Sequence, residues 1–379
     1  MNLTDSFDVA IIGAGIAGAS LAYRLAPQRR VLLLERESQP GYHSTGRSAA
    51  MFMESYGPSA VRALTRASRY FYTHPPEGFA EQPLLGERGA MYVARPDQKS
   101  LLDQLQVELA VDCPALGYLD RERTLALVAC LRPDQVLGSL LDHDAKDIDV
   151  HALHQGFLRG LRQHGGALRT NAEVVAAQRV GDQWELQLAQ GDPVRAAVVV
   201  NAAGAWADHL ASVFGADPIG LVPHRRSAFT FKPPENMAFS HWPVVSSVAE
   251  GFYFKPDAGV LLGSPANADP TFAHDVVPEE LDIATGIAHI EAATTLTIRR
   301  PLRTWAGLRS FVPDGEMVIG FDANCPAFFW LAGQGGYGIQ SAPGASELAA
   351  SLVLGQPLPE ESSRHAVSVQ ALSPRRLRR

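Results

Sequence analysis

The sequence of 379 residues predicts an α/β fold in which a discontinuous domain with a parallel sheet is interleaved with a second domain built on an antiparallel sheet. Apolar strands that run into turns of glycine or other small residues recur near residues 7, 196 and 328. Between the last two, apolar and polar positions alternate, which is typical of antiparallel strands with one covered face. The predicted boundaries are 1–55, 147–215 and 311–379 for the first domain, and 56–146 and 216–310 for the second.

The first strand and turn belong to the apolar run DVAIIGAGIAGASLAYRLA, residues 8–26, which contains Gly13, Gly15 and Gly18 in GxGxxG spacing. We interpret it as a strand, a turn and a helix over residues 16–25. The glycines then allow a sharp turn, close approach of the backbone to a pyrophosphate, and close packing of the helix on the strand. The free N–H groups of the helix would face the phosphates. A glycine-rich turn without a ligand, in another kind of α/β protein, is the alternative.

A second strand supports the dinucleotide-binding interpretation. Residues 31–35, VLLLE, are apolar and end in Glu35, about 20 residues beyond the glycines. A carboxylate there accepts hydrogen bonds from ribose hydroxyls and repels a 2′-phosphate, which disfavours NADP. The glycines, together with Asp8 and Arg24, exclude a membrane-spanning helix in this run. The segment is therefore predicted to be the Rossmann-like part of a dinucleotide-binding domain.

Charge and composition exclude several classes of protein. The formal net charge is -7 and the pI is about 5.9, which excludes extended nucleic-acid binding as a function. Hydrophobic residues make up 46% of the chain, enough for a sizeable core, and no integral membrane segment is predicted. The basic motif SPRRLRR, residues 373–379, is expected to be a short solvated tail, with contact to acidic lipid head groups as the alternative.

The second segment of the first domain, residues 147–215, begins with a predicted amphipathic helix. Asp149 can cap this helix, and Leu153, Phe157 and Leu161 lie on one of its faces. Short strands follow, and the apolar strand AAVVVN then leads into a turn of small residues.

No metal-binding pattern is present in the sequence. Cys113, Cys130 and Cys325 are widely spaced, form no CxxC motif and fit a reducing cytoplasm, where we expect the protein. His151 and His154 lie three residues apart on the predicted helix, but a solvated or capping role is a better interpretation than metal binding.

The motifs GAGIAGAS, GYHSTGRSAA, NAAGAW, KPDAG, LLGSPANADP, TWAGLRSF and GQGGYGIQ occur in this order along the chain. Together they resemble flavin-dependent D-amino acid dehydrogenases of the D-arginine dehydrogenase type, within the wider D-amino acid oxidase-like group. The resemblance covers nearly the whole chain and implies FAD as the cofactor. It also implies non-covalent attachment, because no cysteine lies near WAGLRS, where sarcosine-type oxidases tether the flavin.

The resemblance implies a position for each part of the cofactor. The adenosine end would lie at the first glycine motif, where Val175 would meet the adenine through its backbone. The loop of residues 44–51 would follow the pyrophosphate and ribityl chain, with Arg47 beside an anion or, alternatively, in an ordinary ion pair. Residues 333–340, GQGGYGIQ, would close over the flavin, and a helix beginning near Ile339 would direct its positive end at the ring. The residues implied at the cofactor are Gly13, Ala14, Gly15, Ile16, Ala17, Gly18, Glu35, Arg36, Ser44, Thr45, Gly46, Arg47, Ser48, Ala49, Ala50, Met51, Val174, Val175, Ala203, Gly204, Gly335, Gly336, Tyr337, Gly338, Ile339 and Gln340.

Two arginines match the residues with which this family binds the substrate carboxylate. They are Arg226 and Arg309, which lie in predicted strands otherwise rich in apolar side chains. A forked guanidinium is a suitable partner for a buried carboxylate. A structural ion pair is the alternative for each, and Arg225 is a second candidate for the position given to Arg226.

Other positions that match the substrate pocket of the family indicate which side chain is accepted. Tyr56 and Tyr253 would line the pocket, unless they are ordinary core residues, and the carbonyl of Gly336 would receive the substrate amine. The arginine-type pattern has His at the position of Met51 and Glu at the position of Ala90. Because Ala90 cannot pair with a cationic side chain, neutral or apolar side chains are expected.

The implied activity is oxidative deamination of D-amino acids to 2-oxo acids and ammonia, by hydride transfer from Cα to flavin N5. Glu54 or Glu87 could replace the carboxylate that is missing at position 90. One alternative is an oxidase or dehydrogenase of secondary amines or 2-hydroxy acids, and another is a non-catalytic flavin-binding subunit or sensor. The expected partners are an amino acid substrate and an electron acceptor that is oxygen, a quinone or another protein.

Overall fold

The computed structural model describes residues 6–235 and 237–378 of the chain. Residues 1–5 and 379 of the predicted first domain, and Asn236 of the predicted second domain, lie outside the described residues.

The strands of the described chain fall into two large sheets and one small sheet. In chain order they are β1 (Ser6–Ile12), β2 (Val31–Leu34), β3 (Met51–Phe52), β4 (Leu85–Glu87), β5 (Ala90–Ala94), β6 (Leu116–Asp120), β7 (Gly138–Asp142), β8 (Lys146–Ile148), β9 (Ala167–Arg169), β10 (Val174–Val180), β11 (Gln183–Leu188), β12 (Val194–Asn201), β13 (Val222–Phe231), β14 (Val244–Ser247), β15 (Tyr253–Asp257), β16 (Val260–Ser264), β17 (Asp269–Pro270), β18 (Arg303–Phe311), β19 (Val318–Phe321) and β20 (Phe328–Ala332).

The helices pack on these sheets and connect them. They are α1 (Ile16–Leu25), α2 (Ser59–Thr73), α3 (Lys99–Leu109), α4 (Arg121–Leu127), α5 (Val150–Gln163), α6 (Ala207–Val213), α7 (Glu280–Ala293), α8 (Ala342–Leu354), α9 (Glu360–Arg364) and α10 (Val369–Leu372), with short 3-10 helices at Pro96–Gln98, Pro133–Gln135, Gly204–Trp206 and Pro374–Leu377.

The first large sheet has the order β10-β11-β12-β1-β2-β9, with β20 paired to β12 and β19 paired to β20. The pairs β1/β12, β1/β2, β2/β9 and β12/β20 are parallel, whereas β10/β11, β11/β12 and β19/β20 are antiparallel. The predicted strand, turn and helix at the start of the chain are confirmed as β1, the glycine turn and α1. Strands from all three predicted segments of the first domain meet in this sheet.

The second large sheet has the order β17-β13-β16-β15-β14-β5-β7-β6, with β18 on β13. Every pair is antiparallel, as predicted, except β14/β5, which is parallel. Strands β5 and β14 are far apart in the sequence, and other strands, including β7, lie between them along the chain. No local sequence pattern therefore indicates the direction in which they pair. In the small sheet β3-β8-β4, strands β3 and β8 lie at predicted domain boundaries, whereas β4 lies within the predicted second domain.

Helix α5 carries both a confirmed and a corrected prediction. Asp149 caps it by accepting a hydrogen bond from the N–H of Ala152 at 2.8 Å, and its predicted apolar face is buried. His154, expected to be solvated or capping, is instead 4% exposed, with Nε2 at 2.9 Å from the carbonyl oxygen of Ala14. Burial lowers the pKa of His154, so the neutral ring is favoured. The side chain therefore anchors α5 to the glycine turn after β1.

The prediction that the basic tail is solvated is also corrected, because the tail packs on the rest of the protein. Arg376 pairs with Asp314 at 2.7 Å, and Arg378 pairs with the fully buried carboxylate of Asp322. Pro374 is buried as well. None of the helices in the described part of the chain has the length and apolarity needed to span a membrane.

Candidate active site

A cavity of about 240 Å³ lies over the carboxyl ends of the first sheet. Its walls are the glycine turn after β1, the loop 41–49, the turn after β12, strand β18 and the turn 334–339. Because the carboxyl ends of parallel strands form the crevice in which nucleotides bind in open α/β folds, we expect the dinucleotide here. The predicted cofactor residues that line it are Gly13, Gly15, Ile16, Ala17, Glu35, Arg36, Ser44, Thr45, Arg47, Ser48, Ala49, Val174, Ala203, Gly204, Gly335, Gly336, Gly338 and Ile339.

The beginning of α1 fits a phosphate group. Gly15 and Ala17 line the cavity, and among residues 6–235 and 237–378 no acceptor is bonded to their backbone N–H groups. The next donor, the N–H of Ile16, is instead bonded to the hydroxyl of Thr45 at 3.0 Å. Open N–H groups at the positive end of a helix are a suitable site for an anion, so the donor set fits the pyrophosphate of a dinucleotide.

Two other predicted glycines shape the cavity without lining it. A Cβ atom on Gly18 would lie 1.9 Å from the carbonyl oxygen of Gly13, and one on Gly46 would lie 2.7 Å from that of Gly41. Both positions therefore require glycine for close backbone packing.

Glu35 lies at the cavity as predicted and also holds the glycine turn. Its carboxylate accepts the N–H of Ala14 at 2.9 Å and that of Glu37 at 3.0 Å, and the residue is 8% exposed. The remaining lone pairs of this carboxylate are suited to ribose hydroxyls. Ala14 itself is fully buried and contributes through its backbone alone.

Two predicted cofactor residues, Arg47 and Val175, make contacts that differ from those expected at the cofactor. The guanidinium of Arg47 pairs with Asp275 and donates to the carbonyl oxygens of Val276 at 2.9 Å and Ala306 at 3.2 Å. These contacts correspond to the ion-pair alternative for Arg47, which ties the cofactor loop to the second sheet. Val175 is 49% exposed and lies outside the lining, whereas its neighbour Val174 belongs to it.

Sequence reasoning missed an aromatic wall beside Arg36. Trp206 and His43 line the cavity with ring centroids 4.7 Å apart, and the guanidinium carbon of Arg36 lies 4.7 Å from the centroid of the indole. The motif NAAGAW contains the available signal, because a large aromatic residue directly follows a turn of small residues. The two rings are tilted by 47° to each other, and aromatic surfaces of this kind are suited to contact with a purine ring.

The helix that follows the segment 333–340 begins later than predicted. Helix α8 starts at Ala342, after a turn, and its first donors are already used: the N–H of Ala342 bonds the carbonyl of Ile339, and that of Gly344 bonds the hydroxyl of Ser68. Pro343 has no N–H to offer. The helix therefore begins at Ala342, three residues later than the predicted start near Ile339. The segment reaches the cavity as a turn that the N–H of Gly335 attaches to β18.

A second cavity of about 420 Å³ opens from the first towards the second sheet. Four predicted cofactor residues outside the first cavity line this one: Ala50, Met51, Tyr337 and Gln340. The predicted substrate residues Arg226, Arg309, Tyr56, Tyr253 and Gly336 line it too. We call it the substrate cavity. The residues that line both cavities are Ser48, Ala49, Arg226, Tyr253, Arg309, Gly336 and Ile339.

Strand register brings the two arginines onto one face. In the antiparallel pair β13/β18, Arg226 lies opposite Gly307, and Arg309 lies opposite His224. Arg226 and Arg309 are therefore diagonal neighbours, for which Cβ atoms lie roughly 7–8 Å apart. Arg225 projects from the other face, where it pairs with Asp282 at 2.8 Å and with Glu279 at 2.5 Å. Because successive side chains of β13 point to opposite faces, Arg225 forms structural ion pairs while Arg226 lies at the cavity.

Neither cavity arginine has an ion-pair partner among the described residues. Arg226 donates from Nε to the carbonyl of Asn267 at 2.5 Å, and Arg309 donates from Nη1 to the hydroxyl of Tyr56 at 2.9 Å. Burial, together with the neighbouring charge of Arg309, lowers the pKa of Arg226. Two adjacent guanidiniums that lack a carboxylate partner have an electrostatic deficit that an anionic ligand would relieve.

The remaining substrate residues surround this pair. Tyr56 contacts Tyr337 edge-on with ring centroids 4.9 Å apart, and burial raises the pKa of Tyr337, so the Tyr337 ring bears a neutral hydroxyl. A Cβ atom on Gly336 would lie 2.8 Å from Nη1 of Arg309, so a side chain there would displace the guanidinium.

Position 90 lies behind the lining of the cavity. Ala90 is 1% exposed and packs in an apolar cluster with Met53 and Val244, which do line it. The two candidate replacements for the missing carboxylate are engaged elsewhere, because Glu54 pairs with Arg69 at 2.8 Å and the exposed Glu87 pairs with Lys146.

Sequence reasoning missed four charged residues at the substrate cavity: Arg62, Glu108, Glu250 and Lys255. Lys255 is 5% exposed, with Nζ at 2.6 Å from Asp147 and 3.8 Å from the sulfur of Met51. Glu250 lies at the rim and is exposed to solvent. Lys255 shares a strand face with Tyr253, two residues away, and that spacing is the signal that could have identified it.

The chain was compared with known families and proteins. A family model described as FAD dependent oxidoreductase, DAO, matches residues 8–352. Mitochondrial dimethylglycine dehydrogenase of Rattus norvegicus is 24% identical over 383 residues, which cover 93% of this chain and 44% of that protein. The chain thus spans less than half the length of this relative.

Solved structures share the fold at low identity. L-proline dehydrogenase from P. horikoshii superposes with a TM-score of 0.81 at 21% identity, covering 95% of this chain and 96% of that one. Glycine oxidase from Geobacillus kaustophilus gives a TM-score of 0.81 at 20% identity, covering 97% of this chain and all of that one.

Proposed function

Because the chain belongs to the DAO family of FAD-dependent oxidoreductases, we propose that it catalyses oxidative deamination of D-amino acids with neutral or apolar side chains. The products are the 2-oxo acid and ammonia. The observation that carries the proposal is the pair Arg226 and Arg309, two guanidiniums at one cavity without an ion-pair partner among the described residues. The D configuration is supported by the resemblance of the sequence motifs.

The arginines and their neighbours position the substrate. Arg226 and Arg309 bind its carboxylate, the carbonyl of Gly336 receives its amine, and Tyr56 and Tyr253 enclose the Cα atom. The residues of the first cavity would hold FAD, and FAD when bound supplies the oxidising group that accepts the hydride from Cα. Orientation of the bound substrate does most of the work, since no side chain at this cavity is required as a strong base. The imino acid then hydrolyses in water.

The walls of the substrate cavity support a neutral or apolar side chain. Met51, Met53 and Val244 line it, the carboxylates of Glu54 and Glu87 are engaged elsewhere, and Glu250 lies only at the exposed rim. The ammonium of Lys255 lies on the same wall as Met51, and its positive charge would repel a cationic side chain of the substrate. A guanidinium without a partner would lose solvation there, whereas an apolar chain gains about 25 cal/mol per Å² buried.

A second candidate function is oxidation of a secondary or tertiary amine. The names of two similar proteins, dimethylglycine dehydrogenase and L-proline dehydrogenase, favour it. The same arginine pair would bind the carboxylate of such a substrate.

The test is anaerobic reduction of the bound flavin by single substrates. We expect neutral D-amino acids to bleach the flavin and their L enantiomers to leave it oxidised, because the clamp presents only one face of Cα. The panel includes sarcosine, dimethylglycine, L-proline and D-2-hydroxy acids as comparators. Bleaching by the amines alone would establish the second candidate, and no bleaching by any of them would indicate a flavin-binding subunit without turnover.

We predict that Ala90→Glu shifts preference towards cationic substrates. The ratio of kcat/KM for D-arginine to that for D-leucine should rise by about tenfold or more, because a charged hydrogen bond replaces an unpaired guanidinium. Ala90→Gln is the matched control, since it introduces the same bulk into the apolar cluster without the charge. An unchanged ratio in Ala90→Glu, combined with a wild type that already prefers D-arginine, would show that position 90 does not set specificity.

A further inference from the structure

A polar cluster interrupts the apolar wall of the substrate cavity. Ser55 and Tyr92 both line the cavity, with their hydroxyl oxygens 3.1 Å apart. Behind them lies Asp142, which is 3% exposed and accepts the Ser55 hydroxyl at 2.8 Å. Among residues 6–235 and 237–378, no lysine, arginine or histidine lies within ion-pair distance of Asp142. We call these three residues the hydroxyl relay.

Strand register explains why the relay reaches the substrate cavity. Ala90 and Asp142 are opposite each other in the antiparallel pair β5/β7, so their side chains share a face. Tyr92 lies two residues beyond Ala90 on the same strand and therefore on the same face. The relay thus borders the part of the cavity where the substrate side chain is expected.

The hydrogen bonds of the relay have a single consistent direction. An ionised carboxylate only accepts hydrogen bonds, so the one proton of Ser55 is directed at Asp142. The contact between Ser55 and Tyr92 then requires the tyrosine hydroxyl to donate to the serine oxygen. The lone pairs that remain on Tyr92 and Ser55 are acceptors at the cavity, and neither hydroxyl has a proton left for the ligand.

Two influences act on the charge of Asp142. Burial raises its pKa, whereas hydrogen bonds from the Ser55 hydroxyl and from the N–H of Asp144 at 3.0 Å oppose the rise. The direction described above holds for the ionised carboxylate, which only accepts hydrogen bonds.

We propose that Tyr92 and Ser55 form a subsite that accepts a hydrogen bond from an N–H or O–H group on the substrate side chain. This inference rests on the proposed function and narrows its substrate class to neutral D-amino acids with a side-chain donor, such as an amide. The subsite offers neutral oxygens, because Ser55 covers the carboxylate of Asp142. A cationic side chain would therefore still lack an ion-pair partner. An apolar side chain of the same shape would leave the two acceptors without a donor.

Isosteric substrates isolate this hydrogen bond. D-asparagine is compared with D-leucine, and D-glutamine with D-methionine, so that each pair differs mainly in the donor. In the wild type we expect kcat/KM to favour the amide by at least about tenfold in one of the two pairs. Tyr92→Phe, which removes one of the two acceptors and keeps the ring, should lower that ratio several-fold. Tyr118→Phe is the control, since Tyr118 is exposed on β6 and lies outside the cavity.

Two outcomes would overturn the subsite. One is a wild type that treats both members of each pair alike, and the other is a preference for the amide that is undiminished in Tyr92→Phe. D-alanine, which is too short to reach the relay, reports separately on the proposed function. If no D-amino acid reduces the flavin, ligand-induced shifts of Tm with the same pairs still test the subsite, because binding does not require turnover. Equal shifts within each pair would then count against it.

Discussion

Replacing Arg309 by methionine is expected to lower kcat/KM for D-amino acids by hundreds- to thousands-fold while FAD stays bound. Removing one partner of a buried charge pair costs roughly 3–5 kcal/mol, which corresponds to a loss of that size. The variant leaves Arg226 to bind the carboxylate alone and removes the partner of the Tyr56 hydroxyl. Stopped-flow reduction of the flavin gives the rate, and the visible spectrum of the purified variant gives the FAD content.

Arg303→Met is the matched control for this experiment. Arg303 lies on the same strand, β18, but it is exposed at the far end from the cavity. The control should keep the activity of the wild type. A loss of less than about tenfold in Arg309→Met would place this arginine outside the substrate clamp.

Replacing Gly18 by alanine is expected to abolish stable binding of FAD. The added Cβ would lie 1.9 Å from the carbonyl oxygen of Gly13, so α1 must move away from the turn at which we expect the pyrophosphate. Overpacking of this kind costs about 1–3 kcal/mol, enough to weaken FAD binding by up to roughly a hundredfold. Gly117→Ala is the control, because nothing lies within 4 Å of the Cβ it adds.

The measurement is FAD per chain after gel filtration, quantified as flavin released by acid precipitation. The wild type should release all of its flavin, because Cys113, Cys130 and Cys325 lie outside the lining of both cavities. Flavin that remains in the wild-type pellet would mean covalent attachment. Full occupancy in Gly18→Ala would mean that close packing at this glycine is not needed for the cofactor.

Local sequence signals predicted those parts of the fold that neighbouring residues determine. The strand, turn and helix at Gly13 are of this kind, because each glycine meets a steric requirement within a few residues of itself. The cap at Asp149 is another, since a side-chain oxygen satisfies an N–H three residues away. The sequence also predicted the arginines at the cavity. Because side chains alternate between the two faces of β13, Arg226 lies on the cavity face and Arg225 on the other.

The failures come from contacts between residues that are distant in sequence. The parallel direction of β14 on β5 joins segments about 150 residues apart, so nothing in either strand indicates it. Arg378 was expected in solvent because the buried Asp322 that receives it lies 56 positions earlier. The start of α8 was predicted three residues too early, because a turn precedes it in which Tyr337 donates to the carbonyl of Gln334 and Ser341 to that of Tyr337. His154 was misread for the same reason, since its partner is Ala14.

The strand pairing of the first sheet has a consequence for how the chain reaches its native state. Strand β1 lies between β2 and β12, and β12 in turn receives β20 at its carboxyl end. During synthesis the apolar β1 therefore has only β2 beside it until β12 emerges, and the sheet is completed only when β20 has left the ribosome. Long-range parallel pairing of this kind makes folding slow and leaves an apolar strand edge exposed to aggregation. The crevice for the dinucleotide is consequently among the last features to form, and binding of FAD would draw the late intermediates towards the native state.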